Sequence, residues 1–469
     1  MTDPTLTLAA TGDYLATLRL PAGHQGFEQV RAILREADCA VTNLEMTILD
    51  DGEGTAGALS GGTHLRTAPD RLDDLKAYGF HLVGTANNHV LDYGIDGLEA
   101  HHRHLRTAGI SASGTGAQLA EASRAVFHDS PNGRVALVSV VSTAHRTWHA
   151  SRQRGDLAGR PGVNGLRHVK SLAVTADQVR ALTEIAALTE TNNMVDMQIR
   201  EGFVPPLPPG HIPFGNDLYG YPQIYHAAAA DERLGLTTHP HPDDMARLTR
   251  TIRDAALQAD SVIVNFHAHE MKGDDKTAPA DFVHTAARAF IDAGAHAVIG
   301  HGPHVVRGIE LYSGRLICYS TGDFVFQDET LQALPQEWYD EHGYVDEESG
   351  RRVRFSGAPG EETDGVTLQE GMHKLAAAAG EHWLSNSWDA MHGILPVWKQ
   401  RPDGTLAELT VHALDLGRDL PVSRKGFPAP AGGAEGRRLL TELAERSAPY
   451  GTSFEIAADG ASARLVLSA

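Results

Sequence analysis

At 469 residues, with 42% hydrophobic and 21% charged side chains, the chain has the composition of a globular protein that buries a substantial core. Its formal charge of −20, with no Lys/Arg-rich run, argues against a nucleic-acid partner, because phosphate binding needs clustered cations. No run of eighteen apolar residues occurs, and the N-terminal MTDPTLTLAATGDYL has neither a basic region nor a long apolar core, so the expectation is a cytoplasmic protein without a membrane span. Cys39 and Cys318 both sit in apolar, strand-like surroundings and read as buried free thiols, as suits a reducing compartment.

Strands and helices alternate along the chain, which predicts a mixed sheet covered by helices on both faces. Leu6–Ala10 is a strand, and Phe27 to Ala37 is an amphipathic helix with Phe27, Val30, Ile33 and Leu34 on one face. A strand at Ala40-Val41, a helix from Pro69 to Tyr78 and a strand at His81–Gly84 follow. The helix from Gly94 to Ala108 carries His101, His102 and His104, which read as a solvated or partly buried face. Arg134–Val141 is a strand, and Thr175 to Glu190 and Asp243 to Ala259 are helical. Ser261–Phe266, Ala297–Ile299 and Arg315–Ser320 are strands, with a helix from Pro279 to Ala293 opened by its proline. Residues 191–242, rich in Pro and Gly, predict a lid or an inserted binding segment. Residues 331–385 read as an acidic, mobile insertion, from Asp340 to Gly350 and at 357–364. Residues 386–469, with a terminal strand pair at Ser453–Ile456 and Ala463–Leu467, complete the domain that 1–330 begins.

The informative feature recurs at the strand ends. The run Ala297–Ile299 closes in Gly300-His301-Gly302-Pro303-His304, and Ser261–Phe266 closes in His267-Ala268-His269-Glu270. His81–Gly84 leads to Asn87-Asn88-His89 and then Asp92, Ala40-Val41 to Asn43-Leu44-Glu45, and Leu6–Ala10 to Thr11-Gly12-Asp13. Asp and Asn alone are accounted for by helix caps and turns, but histidine is not a preferred cap. The carboxyl ends of the strands in an open α/β sheet are where sites assemble, so Asp13, Glu45, Asn88, His89, His267, His301 and His304 are expected to converge.

These motifs, with Asn87–Gly94, Arg160-Pro161-Gly162-Val163-Asn164 and Gly300–Val306, resemble the CapA family of poly-γ-glutamate capsule synthesis from about residue 6 to about residue 330. The resemblance resumes weakly at Gly393–Val397 and Ser447–Thr452. It implies an α/β fold of the calcineurin-like metallophosphoesterase type, with mixed β-sheets flanked by helices and the active site at the strand C-terminal ends. Three motifs depart from that type. Asp13-Tyr14-Leu15 stands for Asp-x-His, Asn43-Leu44-Glu45 for an Asp-bearing second motif, and Asn87-Asn88-His89 for Gly-Asn-His.

What remains is rich in oxygen on one side and in histidine on the other. Such a set predicts a divalent metal, with Ca²⁺, Mg²⁺ or Mn²⁺ favoured over Zn²⁺ and no organic cofactor. The expected ligands are Asp13, Glu45, Asn88, His267 and His304. Asp13, His89, Asp92, His267 and His301 are the expected acid–base groups, with Asp92 reaching back to His89. Asn43, Arg160, Asn164, Arg167, His269 and Glu270 are expected to bind substrate, the arginines as a fork for a peptide carboxylate. Three functions stay open. One is proton transfer at a peptide Cα, as in the lasso-peptide epimerases that the chain resembles among CapA-like proteins. The others are metal-assisted hydrolysis of an amide or phosphoester, and a non-catalytic role in capsule assembly. The substrate is a peptide or polyglutamyl chain, and nothing in the sequence specifies an oligomeric state.

Overall fold

The computed structural model describes residues 5–216, 222–341, 343–345, 352–354 and 367–467. These form two compact units: 1–165, 246–279 and 287–469 in the first, 166–245 and 280–286 in the second.

Two sheets build the first unit. The strands of the larger run in the order Phe454–Ile456, Ser462–Leu465, Leu406–Asp415, His392–Gln400, Leu6–Leu15, Cys39–Leu44, Leu82–Gly84 and Ser111–Ser113. The last four of these are parallel, as βαβ connections require, while the C-terminal strands join antiparallel. Asp323–Phe326 pairs parallel to the far end of Leu6–Leu15. The smaller sheet runs Ile309–Tyr312, Arg315–Cys318, Ala297–His301, Ser261–His267, Gly133–Val141 and Val126–Ser130. One cluster takes Leu8, Val41 and Leu82 from the larger sheet and Val135, Leu137, Ile263, Ile299 and Leu316 from the smaller, so the sheets pack face to face. On the outer face of the larger sheet, helices Phe27–Arg35 and Arg71–Tyr78 bury Val30, Leu34, Leu72, Leu75 and Tyr78. Outside the smaller sheet, Phe290 of helix Asp281–Asp292 meets Phe266 edge-on at 5.7 Å.

The second unit holds a four-stranded sheet in the order His211–Asn216, Pro222–Ala227, His168–Val174 and Gly235–Pro240. Helix Ala176–Thr189 starts on a capping box between Thr175 and Gln178. Most of 191–242 is therefore sheet and helix rather than loop. Its prolines hide this, yet they fall where a sheet tolerates them: Pro213 and Pro240 lie in edge strands and Pro222 opens its strand.

Three further expectations change. Helix Asp281–Asp292 starts two residues beyond Pro279, which instead pairs with Met271 in a hairpin. Of the acidic stretch 340–350, the strand Gly343–Val345 pairs with Arg352–Arg354, and 342 and 346–350 lie outside the described residues, as does all of 357–364. Residues 367–387 are structured: helix Leu368–Ala379 sets Leu368 and Met372 against Leu15, Met46 and Met391.

His101 is not on a solvated face. It is fully buried, and its Nδ1 accepts the Ile48 N–H at 3.0 Å. Burial holds its imidazole down to about 3, against an ordinary 6.5. The unfolded chain takes up this proton first, so stability present above pH 6.5 drains away as the pH falls toward about 3. A His101→Gln variant keeps an acceptor for Ile48 without the titration. Its thermal midpoint, followed by calorimetry, is expected to fall less steeply than that of the parent between about pH 6.5 and pH 4; equal slopes contradict this.

Candidate active site

Strand register places the donors side by side. Asp13 is opposite both Asn43 and Asp323 in the larger sheet, and His267 is opposite His301 in the smaller. Parallel neighbours lie about 4.8 Å apart, so each pair projects from adjacent strands toward one point. Asp13, Asn43, Glu45, His267 and His301 are completely buried.

His267 is the pivot. Its Nδ1 lies 2.9 Å from His301 Nδ1 and 3.6 Å from Asp13 Oδ1. Its Nε2 lies 2.7 Å from Asn88 Oδ1, 2.9 Å from His269 Nε2 and 3.4 Å from Glu45 Oε1. Asn88 is oriented by its Nδ2, which donates to the Gly61 carbonyl at 2.9 Å. Asn43 Nδ2 donates to Asp13 Oδ1 at 2.6 Å, and Asp13 Oδ2 accepts the Gly302 N–H at 2.8 Å. Two histidines carry their own carboxylates. His89 Nδ1 is 2.8 Å from Asp92 Oδ2, with its Nε2 toward Glu45 at 3.9 Å. His304 Nδ1 is 2.9 Å from Asp323 Oδ1.

The electrostatics follow from burying this much charge. Burial raises the Asp13 carboxyl, but the imidazoles of His301 and His267 outweigh it and hold it well below the usual range. Glu45 goes well above that range through burial, with the charges of Asp13 and Asp323 adding to it. Burial lowers His267 to about 4 and His269 well below its ordinary value, so both are neutral near pH 7 with lone pairs available. Burial also lowers His304, but Asp323 more than restores it, leaving it raised.

The arrangement fits a divalent cation on three counts. Asp13, Glu45 and Asp323 bring three buried carboxylates together, a costly placement without a counter-charge. Asn43 Oδ1, both Glu45 oxygens, His301 Nε2 and Asp323 Oδ2 are buried without a hydrogen-bond partner among the described residues. Ligand atoms about 2.1 Å from one ion, at right angles, lie about 3 Å apart, the spacing found on each side of His267, whose two ring nitrogens face separate donor groups.

The arginines expected to form a carboxylate fork have partners within the protein. Both Arg160 Nε and Nη2 donate to the His149 carbonyl, at 3.0 and 2.9 Å. Asn164 is buried and ties its amide to the Ser139 carbonyl, Ser123 and Arg247. The Arg167 fork is engaged by Asp244 at 2.8 and 3.0 Å. An arginine in a loop is as readily claimed by a neighbouring carbonyl or carboxylate as by a ligand, and spacing along the chain does not tell these apart. Glu270 Oε2 accepts from Ser142 and Thr143 hydroxyls, at 2.7 and 2.8 Å, beside the His267 loop. His269 and Asn43, expected to bind substrate, are part of the donor cluster itself.

Two residues escaped the sequence reading. Asp323 heads the four-residue strand Asp323–Phe326, whose signal was an acid placed before an apolar run after Gly322. Arg307 is fully buried and donates to the carbonyls of Lys276, Ala268, His269 and Glu270, pinning the loop that carries His269. No local pattern marks such a role.

The chain belongs to the bacterial capsule synthesis protein PGA_cap family, whose profile matches residues 7–328. The resemblance read from the motifs is thereby borne out at family level. The chain is 32% identical to two uncharacterised proteins of Sinorhizobium fredii, y4sH and y4uA, over 96% of its length and 91% of theirs. It is 36% identical to a probable polyglutamine synthesis accessory protein of Mycobacterium tuberculosis over 25% of this chain and 31% of that one. Among the described residues no helix is long and apolar enough to cross a membrane.

The backbone at Asp13 leaves no room for error. A Cβ on Gly12 meets the Gly322 carbonyl oxygen at 1.6 Å, so Gly12→Ala forces the two strands that carry Asp13 and Asp323 apart. Overpacking of this kind costs about 1–3 kcal/mol or more. The variant is expected to unfold at a measurably lower temperature, and an unchanged midpoint refutes the close approach.

Proposed function

We propose that the chain is a metal-dependent enzyme that moves protons at a peptide Cα and so inverts its configuration. The observation that carries this reading is the pair of His–Asp dyads. His89–Asp92 and His304–Asp323 both border the donor cluster, and in each the carboxylate engages Nδ1 and leaves Nε2 without a hydrogen-bond partner among the described residues. A carboxylate at Nδ1 fixes the tautomer that exposes the Nε2 lone pair, the arrangement of a general base. Epimerisation needs two such groups: one removes the Cα proton, the other returns a proton to the opposite face. Hydrolysis needs only one, to protonate the leaving group.

Asp13, Asn43 and His301 with His267 Nδ1, or Glu45, Asn88 and His269 with His267 Nε2, would hold the divalent metal, which supplies a Lewis acid for the substrate carbonyl. The oxygen content of that set supports Ca²⁺, Mg²⁺ or Mn²⁺. This division moves His301 to the ligands and His304 to the proton carriers, because Asp323 pairs with His304. The backbone agrees: His304 holds φ at 54°, a left-handed conformation that non-glycine residues avoid and that gathers at functional positions. The packing of two sheets with the cluster at their strand ends supports the calcineurin-like metallophosphoesterase fold. The polyglutamine-synthesis name of the mycobacterial relative favours a second reading, an accessory role in assembling a polyglutamyl chain.

Two experiments separate these readings. With metal-replete protein in D₂O and candidate peptides, epimerisation places one deuterium at a single Cα without cleavage. A cleaved product shows hydrolysis, and no change with any substrate leaves an assembly role. Separately, His89→Ala and His304→Ala are expected to keep their metal while losing activity by about 10²–10⁴-fold. His267→Ala loses both. Elemental analysis of purified His89→Ala showing no bound metal overturns its role as a proton carrier.

A further inference from the structure

A cleft of about 1230 Å³ in the first unit lies apart from the histidine cluster, sharing none of its residues. Its charged lining is Arg124, Arg152, Arg154, Arg247, Arg250 and a single acid, Asp254. Five guanidinium groups against one carboxylate is the reverse of the chain's overall balance of 40 basic to 60 acidic residues. Two of the five are committed: Arg154 pairs with Asp156 at 2.9 Å, and Arg247 donates to the Gly165 carbonyl at 2.6 Å and to Asn164. Arg124, Arg152 and Arg250 have neither an ion pair nor a side-chain hydrogen bond among the described residues. In a protein with an excess of carboxylates, three unpaired arginines facing one cleft are arranged for an anion from outside.

The surrounding backbone indicates what kind of anion. Val126 and Phe127 belong to Val126–Ser130, the terminal strand of the smaller sheet, and Ser111 opens Ser111–Ser113, the terminal strand of the larger. Among the described residues each pairs with one strand only, so the cleft is bordered by two strand edges. An extended peptide can add to such an edge through main-chain hydrogen bonds, which a nucleic acid cannot do. Arginine forks match carboxylates in bidentate geometry. We propose that this cleft is a docking site for an extended acidic peptide segment, held by main-chain pairing at a strand edge and by Arg124, Arg152 and Arg250. It takes from the functional reading only that the substrate is a peptide, and it would bind a part of that substrate remote from the reacting Cα.

The test uses the full-length protein treated with EDTA, so that its outcome is independent of turnover and of the metal. A fluorescein-labelled (Glu-Ala)₄ peptide, its (Gln-Ala)₄ counterpart and a thymidine oligonucleotide are titrated by fluorescence anisotropy. The acidic peptide is expected to bind, the neutral one at least about tenfold more weakly, and affinity to fall with added salt. Arg124→Gln, Arg152→Gln and Arg250→Gln together are expected to weaken the acidic peptide by at least about tenfold, each exposed pair contributing a modest factor. All three side chains are exposed, so the thermal midpoint should hold; should the triple variant fail to fold, Arg250→Glu alone is read in the same way. Absence of binding, binding unaffected by these changes, or equal binding of the oligonucleotide overturns the proposal. Failure of epimerisation or hydrolysis in the D₂O experiment leaves this result standing.

Discussion

Three buried carboxylates and a knot of imidazoles must share one water-poor place, and the rest of the first unit is organised around holding them there. Asp13, Glu45 and Asp323 are at most 1% exposed. Like charges in such surroundings repel strongly and gain nothing from solvent. The structure offsets this with the imidazoles of His267 and His301, the Gly302 N–H on Asp13 and the Asn43 amide. Several buried donor atoms are still left without partners among the described residues, which supports our proposal of ligands preorganised for an ion.

That preorganisation depends on rigid scaffolding rather than on the loops themselves. Parallel registers bring Asp13 beside Asn43 and His267 beside His301, and the packing of two sheets fixes one set against the other. Loops that leave these strands are secured from behind. Arg307 gathers four carbonyls around the His269 loop, and Asn87 holds the next one, donating to the Leu44 carbonyl and accepting the His89 N–H. Backbone strain sits at the left-handed His304, and the close approach of the Gly12 and Gly322 backbones leaves no space for a side chain at residue 12.

The two dyads differ in setting. Asp92 is fully committed: beyond His89 it accepts the Gly61 N–H through one oxygen and the Leu65 N–H through the other. Asp323 keeps its second oxygen unpartnered and toward the cluster, and it raises His304 against the effect of burial. Beside the metal that we propose, two imidazoles oriented by carboxylates in different surroundings suit a reaction in which one group gives a proton and the other takes one.

Much of this was readable in the sequence, because strand ends write themselves locally. An apolar run closing in Gly-His-Gly-Pro-His or His-Ala-His-Glu announces both the strand and the donors it delivers, and Asp92 three residues after His89 announces the dyad. Helix Ala176–Thr189 announced itself through periodicity, with Thr175 and Gln178 supplying its cap. What only the tertiary structure decided are relations between distant segments. Asp323 became a site residue because its short strand pairs with Leu6–Leu15 some 310 positions earlier. Arg160 and Arg167 are engaged by a carbonyl and a carboxylate that their spacing along the chain does not show. His211–Asn216 and Gly235–Pro240, in a stretch read as loop from its prolines, are edge strands, whose positions do not require the missing N–H. Local pattern specifies which residues carry chemistry and which element carries them. Which of them meet is set by strand register and sheet packing, interactions whose energy no single segment contains.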